Sequence, residues 1–432
     1  METKLAKIQL TSQNNPKAVF NSVYHMINKE LLRECHHRLD GNKATGIDNI
    51  TKDEYGKHLD DNLDSLIQRL KHHGYKPRAS LRAYIPKANG KKRPLGISTY
   101  EDKLVQYGLK CVIEAVFEPR FLDNMYGFRP NKNCHDAIKS LGKIIERGKI
   151  SYVLDADIKG FFNNINHEWL IKFVEVHIKD PNIIRLMKKV LKAGVSENGE
   201  VIETETGVEQ GSLCSPVLAN IYMHYVLNLW FYKAIKPKLK GQGELVIYAD
   251  DFVGCFQYKS DAEMFQNALR DRLGRFGLEL ENEKTRLISF GKYADIECKR
   301  KGTSKPQTFD FLGFTHICGR NRNGKFRIKR KTCRKKQNLK LKEMNLWIRN
   351  NRNEKLPILI KEINLKLVGY YRYFGITDNI SMLNNYLHTT SKLLYKWLNR
   401  RSQRRSYTST AFNQMLKVYP LAKPKIYVNV YQ

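Results

Sequence analysis

None of the eight cysteines, at positions 35, 111, 134, 214, 255, 298, 318 and 333, belongs to a Cys-x-x-Cys pair. That spacing excludes a zinc ribbon or a thioredoxin-type redox motif, and the scattered thiols are expected to be reduced, as in a cytosolic protein. Cys35-His36-His37 has no second ligand pair at finger distance, so zinc is not expected there. No apolar run approaches the roughly 18–20 residues of a membrane span. No signal peptide is read at Met1-Glu-Thr-Lys4, so a cytoplasmic location, free or nucleoid-associated, with no membrane partner is expected. Acidic residues are also scarce. There are 43 Asp plus Glu against 76 Lys plus Arg, a formal charge of +33. Such self-repulsion is costly unless a polyanion is bound, and with no membrane-seeking segment the polyanion is nucleic acid. With 432 residues and 41% hydrophobic content the chain can pack two or three units.

Within this basic chain two adjacent acids stand out. Glu244-Leu-Val-Ile-Tyr-Ala-Asp-Asp-Phe-Val-Gly-Cys-Phe256 places Asp250 and Asp251 between apolar flanks, which reads as two short strands with the acids at the tip of a tight turn. Adjacent carboxylates at a turn can hold a hard divalent cation; taken alone, such a turn is usually just a solvated loop. A second acidic strand end occurs upstream in Tyr152-Val-Leu-Asp-Ala-Asp-Ile-Lys-Gly-Phe-Phe162, where alternation puts Asp155 and Asp157 on one face. A third carboxylate is what two metals clamping an in-line phosphoryl displacement require.

With these residues the sequence resembles the reverse transcriptases, most closely those encoded by mobile group II introns. Asp157 followed five residues later by Phe162, and then Asp250-Asp251, match the catalytic acids and the aromatic of that family. The likeness continues in order along the chain. Lys43-Ala-Thr-Gly-Ile-Asp48 resembles the segment preceding the fingers, and Ile85-Pro-Lys-Ala-Asn-Gly-Lys-Lys-Arg-Pro-Leu-Gly-Ile97 the fingers hairpin. Tyr126-Gly-Phe-Arg-Pro130 with Cys134-His-Asp-Ala137 resembles the next block. Gln210-Gly-Ser-Leu-Cys-Ser-Pro216 and Leu218-Ala-Asn-Ile-Tyr-Met-His-Tyr225 are similar to the loop and helix under the templating base. Gly277 to Lys284, Phe309-Asp-Phe-Leu-Gly-Phe314, and Asn364-Leu-Lys-Leu-Val-Gly-Tyr-Tyr-Arg-Tyr-Phe374 resemble the last palm blocks and the maturase domain, which serves as thumb. There are departures too. Family members usually read Pro-Gln-Gly-Gly where this chain has Glu209-Gln-Gly-Ser212, and often carry an acid where it has Asn163. The endonuclease domain of many relatives is not expected here.

The resemblance implies an RNA-directed DNA polymerase that copies an RNA template from a DNA primer with dNTPs, and a maturase that binds structured intron RNA. It implies Asp157, Asp250 and Asp251 as ligands of two Mg²⁺ ions, with Mn²⁺ as a substitute. Lys87 and Arg93 would grip the triphosphate, and Gln210 would contact the nascent pair or the sugar. Phe162 would face the sugar and exclude a 2′-hydroxyl; alternatively it is a core ring beside Phe161. Lys284 would protonate the pyrophosphate, or form a surface salt bridge. Tyr248 reads as packing under the turn. The alternative role is that of a domesticated relative, such as a phage-defence enzyme copying a dedicated noncoding RNA.

The expected fold is α+β, a right-hand polymerase with fingers and palm followed by a helical thumb. The expected limits are 1–80 for an N-terminal helical extension, 81–318 for fingers and palm, and 319–432 for the thumb or maturase domain. Helical spacing is read at 16–39, 52–72, 101–116, 213–233 and 260–276, strands at 80–97, 150–158, 244–257 and 284–290, and a loop at 291–308. From Lys299 to Lys355 there are 19 basic and 3 acidic residues, interleaved with Phe326, Ile328, Leu339, Trp347 and Ile348. Arg400, Arg401, Arg404 and Arg405, with Tyr407 beside them, are expected to grip phosphates.

Overall fold

The computed structural model describes residues 2–86, 92–202, 205–300, 302–402 and 406–431; Lys87, Arg404 and Arg405 lie outside them. The chain forms two compact units, one of residues 1–137, 156–254 and 260–286, the other of 138–155, 255–259 and 287–432. The motif-based limits above group residues by chain order, whereas these units group them by contact.

In the first unit, strands β1 (Ser80–Pro86) and β2 (Lys92–Ile97) form an antiparallel hairpin, from Leu81 opposite Ile97 to Pro86 opposite Lys92. Short strands β4 (Val195–Glu197) and β5 (Glu200–Ile202) extend it in the order β2-β1-β4-β5. The helix Tyr100–Phe117 follows, its N-terminus capped by the Thr99 hydroxyl accepting from the Asp102 amide. Leu104, Val105, Leu109, Val112, Ile113 and Val116 on it are wholly buried. A second helix, Ser215–Met223, is apolar on every side and buried along its length, as expected of a helix with no solvent face. It continues through wider i→i+5 turns at His224–Asn228 and Phe231–Ile235. Beyond these lie β6 (Gly243–Tyr248), β7 (Asp251–Phe256) and the helix Lys259–Arg275. The palm sheet has the order β6-β7-β3-β8, with β3 spanning Tyr152–Asp157 and β8 Arg286–Ser289; the division into units cuts β3, β7 and β8, so that residues 152–155, 255–256 and 287–289 are counted with the second unit.

In the second unit, β9 (Phe309–Phe311), β10 (Phe314–Arg320) and β11 (Phe326–Thr332) form an antiparallel sheet in the order β11-β10-β9. The helices Arg334–Asn350, Leu356–Phe374, Ile380–Leu398 and Ser409–Val418 follow. Leu359, Ile363, Leu367, Tyr371, Leu383, Leu394 and Leu398 make the core of this unit, and Tyr370 stacks on Tyr386 at 3.7 Å between centroids.

Three local expectations need correction. The segment 16–28 holds no α-helix, only a 3₁₀ turn at Tyr24–Met26; the α-helix begins at Lys29, where Asn28 caps it by accepting from the Leu31 amide. The supposed loop 291–308 holds the helix Ala294–Arg300, with Glu297 bonded by Tyr152 Oη at 3.1 Å. The helical C-terminal region starts only at Arg334, because the alternating Phe326-Arg-Ile-Lys-Arg-Lys-Thr332 pairs with β10 as a strand.

The turn between β6 and β7 is braced from outside the hairpin. The Tyr126 amide donates to Ile247 O and the Ile247 amide to Asn124 O, each at 2.9 Å. Gly127 lies against the turn itself, so a Cβ there would meet the Ala249 nitrogen and stand 2.9 Å from the Tyr248 carbonyl carbon. Its carbonyl accepts from Asn220 Nδ2 at 2.8 Å, on the buried helix. Gly127→Ala is therefore expected to destabilise the fold by about 1–3 kcal/mol, the usual cost of overpacking, measured by urea denaturation. Unchanged stability would mean that the turn gives way freely.

Candidate active site

The three acids come from two strand ends and one turn, all in the first unit. Asp157 ends β3, Asp250 is the second residue of the turn, and Asp251 opens β7, which neighbours β3. Ala249 before them adopts φ +58°, a left-handed conformation that glycine usually takes. Asp157 is fixed through its backbone, whose carbonyl accepts from the Glu281 amide at 2.8 Å, while the Lys159 amide donates to Glu279 O at 2.9 Å. That pairing brings Gly277 to Lys284 alongside the end of β3.

The electrostatics are those of crowded negative charge. Burial pushes the Asp250 carboxyl above the ordinary carboxylate range, and the charge of Asp157 adds to the shift; a backbone amide, Arg93 and Lys284 oppose it. Lys284 donates to Asp157 Oδ2 in an ion pair, and that bond holds its ammonium above the usual lysine value. The lysine is thus both a salt-bridge partner and a cation at the acids. Arg93, on the exposed face of β2, is near enough to Asp250 to stabilise its charge. Among the described residues, no group of three or more His, Cys, Asp and Glu side chains closes on a single point as a protein-only metal cage. The donors nevertheless suit a hard cation. They are carboxylate oxygens, one neutralised by an ammonium and one disfavoured as an anion, and Mg²⁺ commonly takes only one or two carboxylates with substrate phosphates completing its shell.

The aromatic pair divides its labour. Phe161 is 1% exposed and belongs to the core, whereas Phe162 is half-buried, 5.5 Å from Phe161 and 6.5 Å from Phe128 in edge-to-face contacts. Phe128 is half exposed and has φ +57°, so the two rings make an open apolar surface. The Phe162 carbonyl accepts from the Val208 amide at 2.7 Å, and the Gly96 amide donates to Gln210 O at 2.9 Å. Residues 208–210 therefore run from the Phe162 turn to β2. Gly127, Asn220 and Gly96 had no chemical signature in sequence; only the glycine within a known block hinted at close backbone approach.

The C-terminal arginines lie in the second unit and have different surroundings. Arg401 donates Nε to Arg352 O at 2.5 Å and Nη2 to Glu354 O at 3.1 Å, so its guanidinium ties a loop down. Arg400 is exposed, 5.5 Å over the Trp397 ring.

A palm sheet whose strand ends carry three acids, beside a basic hairpin, defines a template-directed polymerase fold. Comparison with known families agrees: residues 85–316 match the reverse transcriptase (RNA-dependent DNA polymerase) family, and residues 327–415 the maturase-specific domain of group II introns. The chain belongs to the reverse transcriptase family and carries a group II intron maturase domain. It is 38% identical over 231 residues to the group II intron-encoded protein LtrA of Lactococcus lactis, covering 52% of this chain and 38% of LtrA. It is 29% identical over 319 residues to an uncharacterised 91 kDa protein in the cob intron of Schizosaccharomyces pombe, covering 72% of this chain and 39% of that protein. Protein YkfC of Escherichia coli is 29% identical over 318 residues, covering 67% of this chain and 80% of YkfC. The match thus spans well under half the length of the first two relatives. The family generally uses divalent metal ions. No helix among the described residues is long and apolar enough to cross a membrane.

Because Asp157 is the main cause of the raised Lys284 pKa, Asp157→Asn should bring that pKa down toward the ordinary lysine value. Lysine-selective NMR titration reads it directly, and an unmoved Lys284 would show that the pair does not persist in solution.

Proposed function

We propose that this protein is an RNA-directed DNA polymerase that also acts as a maturase on structured group II intron RNA. The observation that carries the reading is the meeting of Asp157, Asp250 and Asp251 with Lys284 and Arg93 in one unit of a chain whose other unit contains the maturase match. Its substrates are an RNA template, a DNA primer and dNTPs. Asp157, Asp250 and Asp251 hold two divalent ions, Mg²⁺ with Mn²⁺ as a substitute, which when bound acidify the primer 3′-hydroxyl and neutralise the leaving pyrophosphate. Burial and the nearby charge of Asp157 disfavour the Asp250 anion, so a bound cation would relieve that cost. Arg93 meets the triphosphate by bidentate hydrogen bonds, with Lys87 as its partner on the same hairpin.

Lys284, an ammonium already at the acids through its pair with Asp157, would neutralise the departing pyrophosphate and donate to it. Phe162, backed by Phe161 and flanked by Phe128, presents an apolar edge that cannot accept a bond from a 2′-hydroxyl and favours deoxynucleotides. Gln210, held at β2 through its carbonyl, leaves its side chain for the nascent pair. Intron RNA is held by the basic C-terminal unit, with Arg400 stacked over Trp397 as a phosphate contact. Arg401 supports this surface through the loop it ties down, and Arg404 and Arg405 add basic charge to the same stretch of sequence.

The test is Asp250→Asn, which should abolish primer extension on an RNA template while RNA binding stays within a few-fold, since only the metal cradle is lost. Extension at near-wild-type rate in Mg²⁺ would refute the assignment. Phe162→Ala should raise ribonucleotide over deoxynucleotide incorporation by roughly one to two decades, as loss of a clash of about 1.4–3 kcal/mol gives. Single-nucleotide extension measures the ratio, and an unchanged value would reduce Phe162 to a packing ring.

A further inference from the structure

Glu209 is half-buried and places its carboxyl group between the fingers strands and the Gln210 loop. Gly96 of β2 leaves the room for it, since a Cβ at that position would fall on the Glu209 carboxyl. One oxygen, Oε2, accepts from the Ser80 hydroxyl at 2.6 Å. Ser80 Oγ lies 3.2 Å from Ser98 Oγ, which accepts from Gln106 Nε2 at 3.0 Å. Gln106 Oε1 in turn accepts from the Leu213 amide at 3.2 Å. These bonds form a ring that starts at Glu209 and returns to the same loop four residues later, enclosing Gln210. Among the described residues the other carboxyl oxygen, Oε1, has no hydrogen-bond partner although it is buried. A cavity of about 240 Å³ borders the ring, lined among others by Arg82, Gln106, Asn163, Gln210 and Ser212.

The geometry points to Glu209 as a positioning residue for Gln210: its neutral carboxyl locks the loop to β1 and β2, and its ionisation loosens the loop, so that nucleotide engagement weakens as pH rises. This rests on the polymerase reading for its catalytic consequence but not for the lock itself. The buried Oε1 without a donor is what an anion tolerates least, because nothing compensates its lost hydration. Burial accordingly pushes the carboxyl up to about 7. The charged groups around it act in opposite directions. Arg82 of β1 favours the anion but is shared with Glu197 at 3.8 Å; Asp102 of the Tyr100–Phe117 helix opposes it. Ser80 stabilises the anion with one bond, and Cys214 in the loop is a buried thiol whose own pKa is pushed up to about 11. The sign follows. A carboxyl raised in the fold favours folding in its neutral form, and that advantage declines as pH rises from the ordinary carboxylate range to about 7.

Two readouts on the full-length chain test this, with Glu209→Gln (neutral at every pH) and Glu209→Ala beside the wild type. The first is hydrogen exchange of residues 206–214 from pH 6 to 8.5, corrected for intrinsic rates. Protection in the wild type should fall as pH passes neutrality, stay level in Glu209→Gln, and be low throughout in Glu209→Ala. The second is the KM for a dNTP in single-nucleotide extension. It should rise roughly three- to tenfold over that range in the wild type relative to Glu209→Gln, as losing one net hydrogen bond gives, with the kcat ratio level. The same exchange profile in wild type and Glu209→Gln overturns the proposal, as does a KM that follows pH identically in both. Should Glu209→Ala fail to fold, the Gln variant alone decides. A wild type that shows the exchange switch but extends no primer would refute the polymerase reading and leave the lock standing.

Discussion

Everything at the candidate site depends on holding negative charge together at the end of a sheet. β3 and β7 are neighbours, so Asp157 and Asp251 arrive from adjacent strands, and the turn delivers Asp250 between them. Carboxylates so placed repel one another, and the repulsion appears in Asp250, whose ionisation burial and Asp157 both oppose. Local counter-charge compensates in part through Lys284 on Asp157 and Arg93 near Asp250. Crowded carboxylate oxygens of this kind are a donor set that suits a hard divalent cation.

The rest of the first unit prevents those charges from pushing the turn away. Gly127 presses on it, and Asn220 fixes Gly127 from a helix with no exposed face. Residues 208–210 are pinned at the Phe162 turn on one side and at Gly96 on the other. Groups that would touch sugar, base and phosphate therefore share one backbone hydrogen-bond framework. Preorganisation of this kind is how an active site gains rate without reorganising during the reaction. Glu209 in that loop is bonded to Ser80 and stands next to Gln210 in the chain.

The second unit is built by different means. Its helices close on an aliphatic and tyrosine core, with Tyr370 stacked on Tyr386. Basic residues take two roles within it. Arg330 is 1% exposed and uses its guanidinium on the carbonyls of Ile328 and Ile138, filling the space left by Gly142. Arg401 likewise bonds to carbonyls, whereas Arg400 stays exposed. A basic run is thus not uniformly a phosphate-binding surface, since part of its charge is spent on internal backbone acceptors.

The sequence by itself determined the chemistry and much of the chain order. Apolar runs on both sides of Asp250-Asp251 read as a hairpin with the acids at its tip, and the resemblance of the successive blocks to the reverse transcriptases implied fingers, palm and thumb. It could not reveal which arginine of a pair bonds inward, that residues 326–332 pair as a strand, or that residues 294–300 turn helical, because pairing and burial across the fold override local pattern. Nor could it bring Lys284 to Asp157, which are 127 residues apart, or Glu209 to Ser80, 129 apart. Those contacts exist only once separate strands and loops have closed on each other. Proximity in space sets the pKa of a carboxyl and the partner of an ammonium, and a linear pattern carries no distance across the fold.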